Sequence, residues 1–115
     1  PWRFTHFTKT HGYANMPLDG LWLRAPYLHN GSVPSLRDLL EPAAKRPKAF
    51  FRGNDVYDPV KVGFVSNLPA ANGAKLFRFD TTVPGNGNGG HEGKAYGTDL
   101  SAADKTALVE FLKTF

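Results

Sequence analysis

The sequence predicts a mainly α fold with long irregular loops that is incomplete on its own. Two helix patterns are present: a capped amphipathic one at the end of the chain and a shorter one after Ser32. Between them, residues 43–85 show almost no periodicity, and so long a connection without helices is unusual within a compact domain. With 115 residues, 12 Gly and 9 Pro, the chain is expected to form one small domain rich in irregular structure.

The first third of the chain predicts little regular structure. Residues 1–20, PWRFTHFTKTHGYANMPLDG, show no clear period and predict an extended segment that lays aromatic rings on a neighbouring surface. Pro26 then blocks a regular helix in LWLRAPYLHNGSVP. The run His29-Asn30-Gly31 predicts a tight turn.

The short helix pattern lies in SVPSLRDLLEP. Ser32 or Ser35 can cap it, and Pro42 stops it. Its apolar face consists of Leu36, Leu39 and Leu40.

Two brief strands and one longer helix are predicted further along. Val60, Val62 and Phe64 alternate with polar or small residues, and Leu76 to Phe79 form a second extended stretch. Ser101 and Asp104 form a capping box for a helix from about 102 to 114. The residues expected on its apolar face are Ala107, Leu108, Phe111, Leu112 and Phe115.

Composition excludes several classes of site. The chain has no cysteine, so it contains no disulfide, no thiolate metal site and no covalent haem attachment motif. No apolar run approaches a membrane span, and no signal peptide opens the chain. The net charge is +4, but the densest basic cluster, Lys45, Arg46 and Lys48, predicts a solvated loop rather than a nucleic-acid interface. The abrupt start at Pro1 is expected for a piece of something longer or for a processed chain.

Four histidines are the candidate ligands. No two of them are spaced four apart, so a metalloprotease-type zinc pair is not predicted, and His6 and His11 are assigned no function. His29 is interpreted as a structural residue of its turn. His91 lies in the glycine-rich stretch NGNGGHEGKAYG, where ordering the backbone costs entropy. Either a bond from its imidazole to iron or zinc offsets that cost, or His91 is incidental in a disordered linker.

The stretch GLWLRAPYLHNGSVPSLRDLLEP, Gly20 to Pro42, resembles the C-terminal haem region of the bacterial di-haem cytochrome c peroxidase superfamily, where APYxHxG(S)xxTLxxLL recurs. Together with RPKAFFRGNDVYDPVKVGFVS and GNGNGGHEGKAYGTDLSAADKTALVEFLKTF, the chain is similar to the branch that includes the di-haem rubber oxygenases. The resemblance runs from about Phe4 to Phe115. It implies that residues 1–115 are the C-terminal part of a c-type cytochrome domain that lacks its CxxCH segment.

The resemblance implies a haem c that is attached covalently outside this chain. His91 matches the distal axial histidine of the rubber-oxygenase-like branch. In the peroxidases proper that haem more often takes a methionine, and Met16, the only Met, precedes the APYLHNG phrase instead of following it. Two nitrogen ligands imply an electron-transfer haem. Any oxidoreductase activity of the parent would therefore belong to the other haem, outside this chain.

The remaining expectations concern the surroundings of the haem. Main-chain oxygens of Arg24 and Pro26 match a calcium site of the peroxidases, although those proteins usually have Thr at the position of Arg24. The expected protein partners are a polypeptide that carries the CxxCH motifs, or the missing part of the same precursor, and a redox partner; nucleic acid is not an expected partner. The expected location is the periplasm or the exterior of a bacterial cell. The residues expected to line or support the haem are Trp22, Arg24, Tyr27, His29 and Arg37.

Two rival hypotheses belong to other classes. In the first, the chain is a non-enzymatic, basic, loop-rich binding module that docks on an acidic partner. In the second, His29 and His91 form a mononuclear metal site without haem.

Overall fold

The structure is a computed structural model that describes residues 11–115. Trp2, Phe4 and His6 of the predicted extended segment lie outside the described residues. The elements, in chain order, are α1 (Leu36–Leu39), β1 (Ala49–Arg52), β2 (Tyr57–Asp58), β3 (Gly63–Phe64), β4 (Ala70–Ala71), β5 (Ala74–Lys75), β6 (Phe77–Asp80) and α2 (Ala102–Leu112). Single 3-10 turns occupy Leu21–Leu23, Ala43–Lys45 and Lys94–Tyr96.

The prediction of a mainly α fold is wrong. The strands form three antiparallel pairs, β1 with β6, β2 with β3 and β4 with β5, while α1 has only four residues and α2 eleven. The physical reason is that the segment between the helices folds back on itself through turns. Its aromatic residues then pair across strands, as Phe50 does with Phe79.

The predicted strands are partly confirmed. Phe77 and Phe79 lie in β6 as expected. In the other predicted strand only Gly63 and Phe64 are extended, because Val62 has a φ of 58° and belongs to the turn that precedes them. A β-branched residue in this left-handed region is held there by its surroundings, and Val62 is fully buried.

Both helix starts are confirmed. The Ser35 Oγ accepts a hydrogen bond of 3.1 Å from the Asp38 amide at the start of α1. The Ser101 Oγ accepts one of 3.1 Å from the Asp104 amide at the start of α2. Each serine thus satisfies one of the unpaired amides of a helix N-terminus.

The core lies where α1, α2 and the turn before β3 meet. The Leu36 amide donates to the Val62 carbonyl at 2.9 Å, and Ser35 forms an isolated antiparallel bridge with Gly63. These contacts bring the start of α1 against the chain after Val62. The buried apolar cluster consists of Tyr27, Val33, Leu36, Leu40, Val62 and Val109.

The predicted apolar face of α2 is only partly confirmed. Leu108 and Leu112 pack against the core, but Ala107, Phe111 and Phe115 are exposed. The helix instead buries Val109 and Lys105, and the Lys105 Nζ lies 3.1 Å from the Oε2 of Glu41, which follows α1. A buried lysine needs such a partner, which a hydrophobic pattern does not reveal.

The described part of the chain contains no helix both long and apolar enough to span a bilayer.

Candidate functional site

A cleft of about 490 Å³ opens beside the turn formed by residues 27–33, here called the Tyr27 turn. Four of the predicted site residues, Arg24, Pro26, Tyr27 and His29, line it together with Met16. The rest of the lining comes from Tyr13, Ala14, Pro17, Leu21 and Leu28. The cleft therefore brings together three of the residues assigned to the haem, Arg24, Tyr27 and His29.

The Tyr27 turn is closed by backbone hydrogen bonds. The Tyr27 amide donates to the Val33 carbonyl at 2.7 Å, and the Val33 amide donates back at 3.3 Å. Inside the turn, the Asn30 Oδ1 accepts from the Ser32 amide. Gly31 has a φ of 64°, which a residue without Cβ adopts readily. The predicted turn at His29-Asn30-Gly31 is confirmed.

Tyr27 is a structural hydrogen-bond donor. Its hydroxyl donates to the Leu21 carbonyl at 2.9 Å, and its ring is buried in the core. Burial raises the pKa of Tyr27 well above its ordinary value, and the nearby Tyr57 adds to that rise. The phenol therefore stays protonated at any physiological pH.

The open side of the cleft carries the groups that could meet a ligand. The His29 imidazole is exposed and stacks on the Tyr13 ring, with centroids 4.3 Å apart and planes inclined by 14°. Met16 is 71% exposed, so its thioether is available at the rim. The Arg24 guanidinium donates to the Pro17 carbonyl at 2.9 Å and is otherwise exposed.

These residues fit a haem. Stacked rings and apolar side chains suit a flat macrocycle, and imidazole and thioether are axial ligands that haem iron takes. A guanidinium matches the geometry of a carboxylate such as a haem propionate. The chemistry of the residues that line the cleft is therefore compatible with the predicted cofactor.

Trp22 and Arg37 lie outside this cleft. The Trp22 indole Nε1 donates to the Phe115 carbonyl at 3.0 Å, and its ring meets Tyr57 edge-on at 5.9 Å. Arg37 lies 3.4 Å from Glu41 and donates to the Ala102 carbonyl at 3.5 Å. Both residues have contacts that stabilise the fold, and neither contributes to the cleft lining.

His91 projects from a second feature, the glycine-rich residues 85–93, here called the His91 loop. Its imidazole is exposed and meets the Tyr96 ring edge-on at 5.2 Å. His91 has a φ of 52°, in the left-handed region. The described residues that line the cleft do not include it.

The His91 loop is attached to the Tyr27 turn and to the segment after α1. The Asn30 Nδ2 donates to the carbonyls of Gly85 at 3.2 Å and Gly87 at 2.8 Å. The Asn88 Nδ2 donates to the Pro47 carbonyl at 2.9 Å, and the Glu92 carboxylate accepts from the Ala43 amide. These contacts oppose the interpretation of the loop as a disordered linker.

Arg46 is the residue beside the His91 loop whose burial and contacts the sequence did not reveal. It was grouped with Lys45 and Lys48 in a solvated loop, yet it is only 3% exposed and its guanidinium contacts three carbonyls of the His91 loop. Burial lowers the pKa of Arg46, and the carboxylate of Glu92 opposes that effect. The only local signal was Pro47, which favours an extended backbone at residue 46, where ψ is 150°.

A metal site built from clustered side chains is not found in residues 11–115. Within that range, no group of three or more His, Cys, Asp or Glu side chains lies close enough together to hold an ion. His29 and His91 lie on different features, the Tyr27 turn and the His91 loop. The geometry therefore offers no support for a mononuclear site shared by these two residues.

One family model matches part of the chain. Residues 12–51 match the family model described as RoxA-like, cytochrome c-like. The match links the segment that lines the cleft, and that carries Asn30 and Arg46, to the cytochrome c superfamily. It supports a haem-binding, cytochrome-like module.

Two curated proteins of Sinorhizobium fredii (strain NBRC 101917 / NGR234) are similar to most of the chain. The uncharacterized protein y4iJ is 45% identical over 108 residues, which cover 89% of this chain and 17% of y4iJ. The uncharacterized protein y4iM is 42% identical over 118 aligned residues, which cover 90% of this chain and 27% of y4iM. The chain thus spans a minor part of the length of both relatives. No solved structure matches it.

Proposed function

We propose that the chain is the haem-binding, electron-transfer portion of a di-haem c-type cytochrome oxidoreductase, and that His91 supplies the distal axial ligand of its C-terminal haem. One observation carries the proposal. The His91 loop is attached, through Asn30 and Arg46, to the segment that matches the cytochrome c-like family model. An exposed imidazole is thereby presented from a fixed backbone beside that segment.

The chemistry divides between this chain and the rest of the protein. Haem, when bound, supplies reversible one-electron chemistry, and its potential depends on axial ligands, burial and nearby hydrogen bonds. His91 would hold the haem through a ring nitrogen. An iron ligated in this way would carry electrons and would not bind peroxide or oxygen. Substrate chemistry would then belong to the second haem.

The cleft provides the competing ligands. Met16 and His29 both line it and both are exposed, so either could replace His91 if the iron lay over the cleft. The test is the spin state of the ferric haem protein that contains this chain, measured by absorption and electron paramagnetic resonance. We expect His91→Ala to convert the low-spin iron to high-spin, and Met16→Leu and His29→Ala to leave it low-spin. Conversion by either of those two variants instead would refute the assignment of His91.

The proposal includes a partner chain and a location. The radius of gyration, 16.3 Å, exceeds the roughly 13 Å of a compact domain of this size. Large apolar residues such as Val60, Phe77 and Phe111 are more than half exposed. Both facts support a chain that completes its core against the polypeptide that carries the CxxCH motifs. Covalent haem attachment, which the proposal implies, supports a location in the periplasm or outside the cell.

The isolated chain tests whether a partner polypeptide is needed to complete the core. We expect its circular dichroism signal to change gradually with temperature, without a cooperative transition. A sharp, reversible, haem-free melt would show that the chain completes its core alone.

Calcium is a lesser part of the proposal. Main-chain oxygens suit this hard cation, and Arg24 and Pro26 both line the cleft. A chelator is expected to lower the melting temperature of the haem protein, and added calcium to restore it. An unchanged melting temperature would remove calcium from the proposal.

The rival docking module receives no specific support. Arg46 points into the protein, which leaves Lys45 and Lys48 as the exposed members of the densest basic cluster.

A further inference from the structure

We infer that Arg46 is a positioning residue that fixes the His91 loop so that its imidazole can ligate the haem iron. This inference rests on the proposed function. It concerns a side chain that contacts the backbone of the loop and not the iron.

The guanidinium of Arg46 joins two separate parts of the chain. On the loop side, its Nη1 donates to the carbonyls of Asn88 at 2.6 Å and Gly90 at 2.9 Å, and its Nη2 donates to the carbonyl of His91 at 3.1 Å. On the side of α1, its Nη2 donates to the Leu39 carbonyl at 3.2 Å and its Nε to the Glu41 carbonyl at 2.9 Å. All three nitrogens are therefore used.

The shape of the guanidinium explains why an arginine occupies this position. Its five N–H donors lie in one plane at fixed directions, so it can bond both parts of the chain at once. A lysine has three donors on a single nitrogen and cannot span the same set of carbonyls. Because Arg46 is only 3% exposed, these bonds are shielded from water and stronger than surface contacts.

The loop needs such a contact because it is rich in glycine. Each ordered glycine loses more backbone entropy than any other residue. Gly85, Gly87, Gly89 and Gly90 precede His91, and a methyl group at any of them would meet no neighbouring atom. Close packing therefore does not order these positions. The hydrogen bonds from Arg46, Asn30 and Asn88 do.

The consequence for His91 is a fixed backbone and a free side chain. Its carbonyl is held by Arg46, while its imidazole is exposed and touches only the edge of Tyr96 among the described aromatic rings. Loss of the guanidinium would allow the loop to open and the imidazole to leave the iron. The iron would then show a mixture of six- and five-coordinate states.

The experiment uses the haem-loaded protein that contains this chain. The main variant is Arg46→Lys, because it keeps the positive charge. The second variant, Arg46→Met, removes the charge as well as all the hydrogen bonds. Arg78→Lys is the matched control, since Arg78 is exposed and its guanidinium pairs with the carboxylate of Asp80 instead of with a carbonyl of the loop. Two quantities are measured. The first is hydrogen exchange of the peptide covering residues 84–93, and the second is the ferric spin state with and without added imidazole.

We expect Arg46→Lys to raise the exchange rate of the loop roughly tenfold, the effect of losing one hydrogen bond to a charged group. The iron should become partly high-spin, and free imidazole should restore the low-spin spectrum, as it should in His91→Ala. Arg78→Lys should change neither quantity. A merely structural role for Arg46 would not produce rescue by imidazole.

The two failures can be told apart. If His91→Ala converts the spin state while both Arg46 variants stay low-spin, the ligand assignment stands and the role of Arg46 is refuted. If His91→Ala leaves the iron low-spin, the ligand assignment itself fails, and the positioning role fails with it.

Discussion

The close approach of Gly63 to the start of α1 provides a quantitative test of the fold. A methyl group at Gly63 would overlap the Pro34 carbonyl oxygen and would lie 2.9 Å from the Ser35 Cα. Carbon atoms pack at roughly 3.5–4.0 Å, so Gly63→Ala forces the two segments apart by roughly 0.6–1 Å. Backbone cannot rotate out of the way as the end of a long side chain can.

The cost has two parts. Overpacking a tight site costs about 1–3 kcal/mol. The adjacent hydrogen bonds, from the Leu36 amide to Val62 at 2.9 Å and from the Arg37 amide to Lys61 at 3.0 Å, would lengthen. Each contributes about 1 kcal/mol and would be weakened, not lost. The expected destabilisation is therefore about 2–4 kcal/mol.

Urea unfolding of the haem protein measures this change. With a slope of about 2 kcal/mol per molar, the midpoint should fall by roughly 1–2 M. Gly89→Ala is the control, because a methyl group there meets no neighbouring atom and its φ is not positive. It should be neutral or stabilising by about 0.4–1 kcal/mol. If Gly63→Ala unfolds within about 0.5 kcal/mol of the wild type, the close approach does not exist.

Three further predictions concern single polar groups. Tyr27→Phe should lower the free energy of unfolding, measured by urea titration, by about 1 kcal/mol. The Leu21 carbonyl would lose the hydrogen bond from the phenol but keep the one from the Arg24 amide. A larger loss would show that the hydroxyl has another partner. Lys105→Met should lower the free energy of unfolding by about 1–2 kcal/mol, because Glu41 loses its partner on α2 but keeps its ion pair with Arg37. As the control, Lys75→Met removes an exposed lysine and should leave the free energy of unfolding unchanged. Hydrogen bonds from Thr82 and from Arg78 lower the pKa of Asp80 from 3.8 to about 2, so its contribution to stability is present above pH 4 and is lost as the pH falls towards 2. The melting temperature of Asp80→Asn should therefore fall less steeply than that of the wild type between those pH values, and parallel curves would contradict the assignment.

The parts of the fold that could be predicted are those set by local sequence. Ser101 and Asp104 cap α2, and Ser35 caps α1, because a cap depends on residues three apart. The pairing of β1 with β6 could not be predicted. Phe50 and Phe79 lie far apart in the chain, and short extended stretches do not indicate their partners. The orientation of α2 was missed because the helix buries Val109 together with a charged residue, Lys105, that pairs with Glu41.

In the candidate site, too, local features could be predicted and long-range contacts could not. The cleft residues Arg24, Pro26, Tyr27 and His29 lie together because they are nearly consecutive in the sequence. The turn beside them could be predicted from Asn30-Gly31. Trp22 was assigned to the same place, but a 3-10 turn directs it towards Tyr57. Arg46 was missed because its loop acceptors lie 42 to 45 residues away. Pro47 favours an extended backbone at Arg46, but it does not distinguish a buried arginine from an exposed one.

Two buried cations, Arg46 and Lys105, and the half-buried Arg52 connect separate elements of this fold. The guanidinium of Arg52 lies 3.8 Å from the centre of the Phe79 ring and donates to the Gly31 carbonyl, which connects the β1–β6 pair to the Tyr27 turn. Lys105 connects α2 to α1, and Arg46 connects α1 to the His91 loop. Each cation bridges elements whose own contacts are few, and each is costly to bury without those partners. A stretch rich in glycine can present His91 in one place because a cation supplies the order that side-chain packing does not.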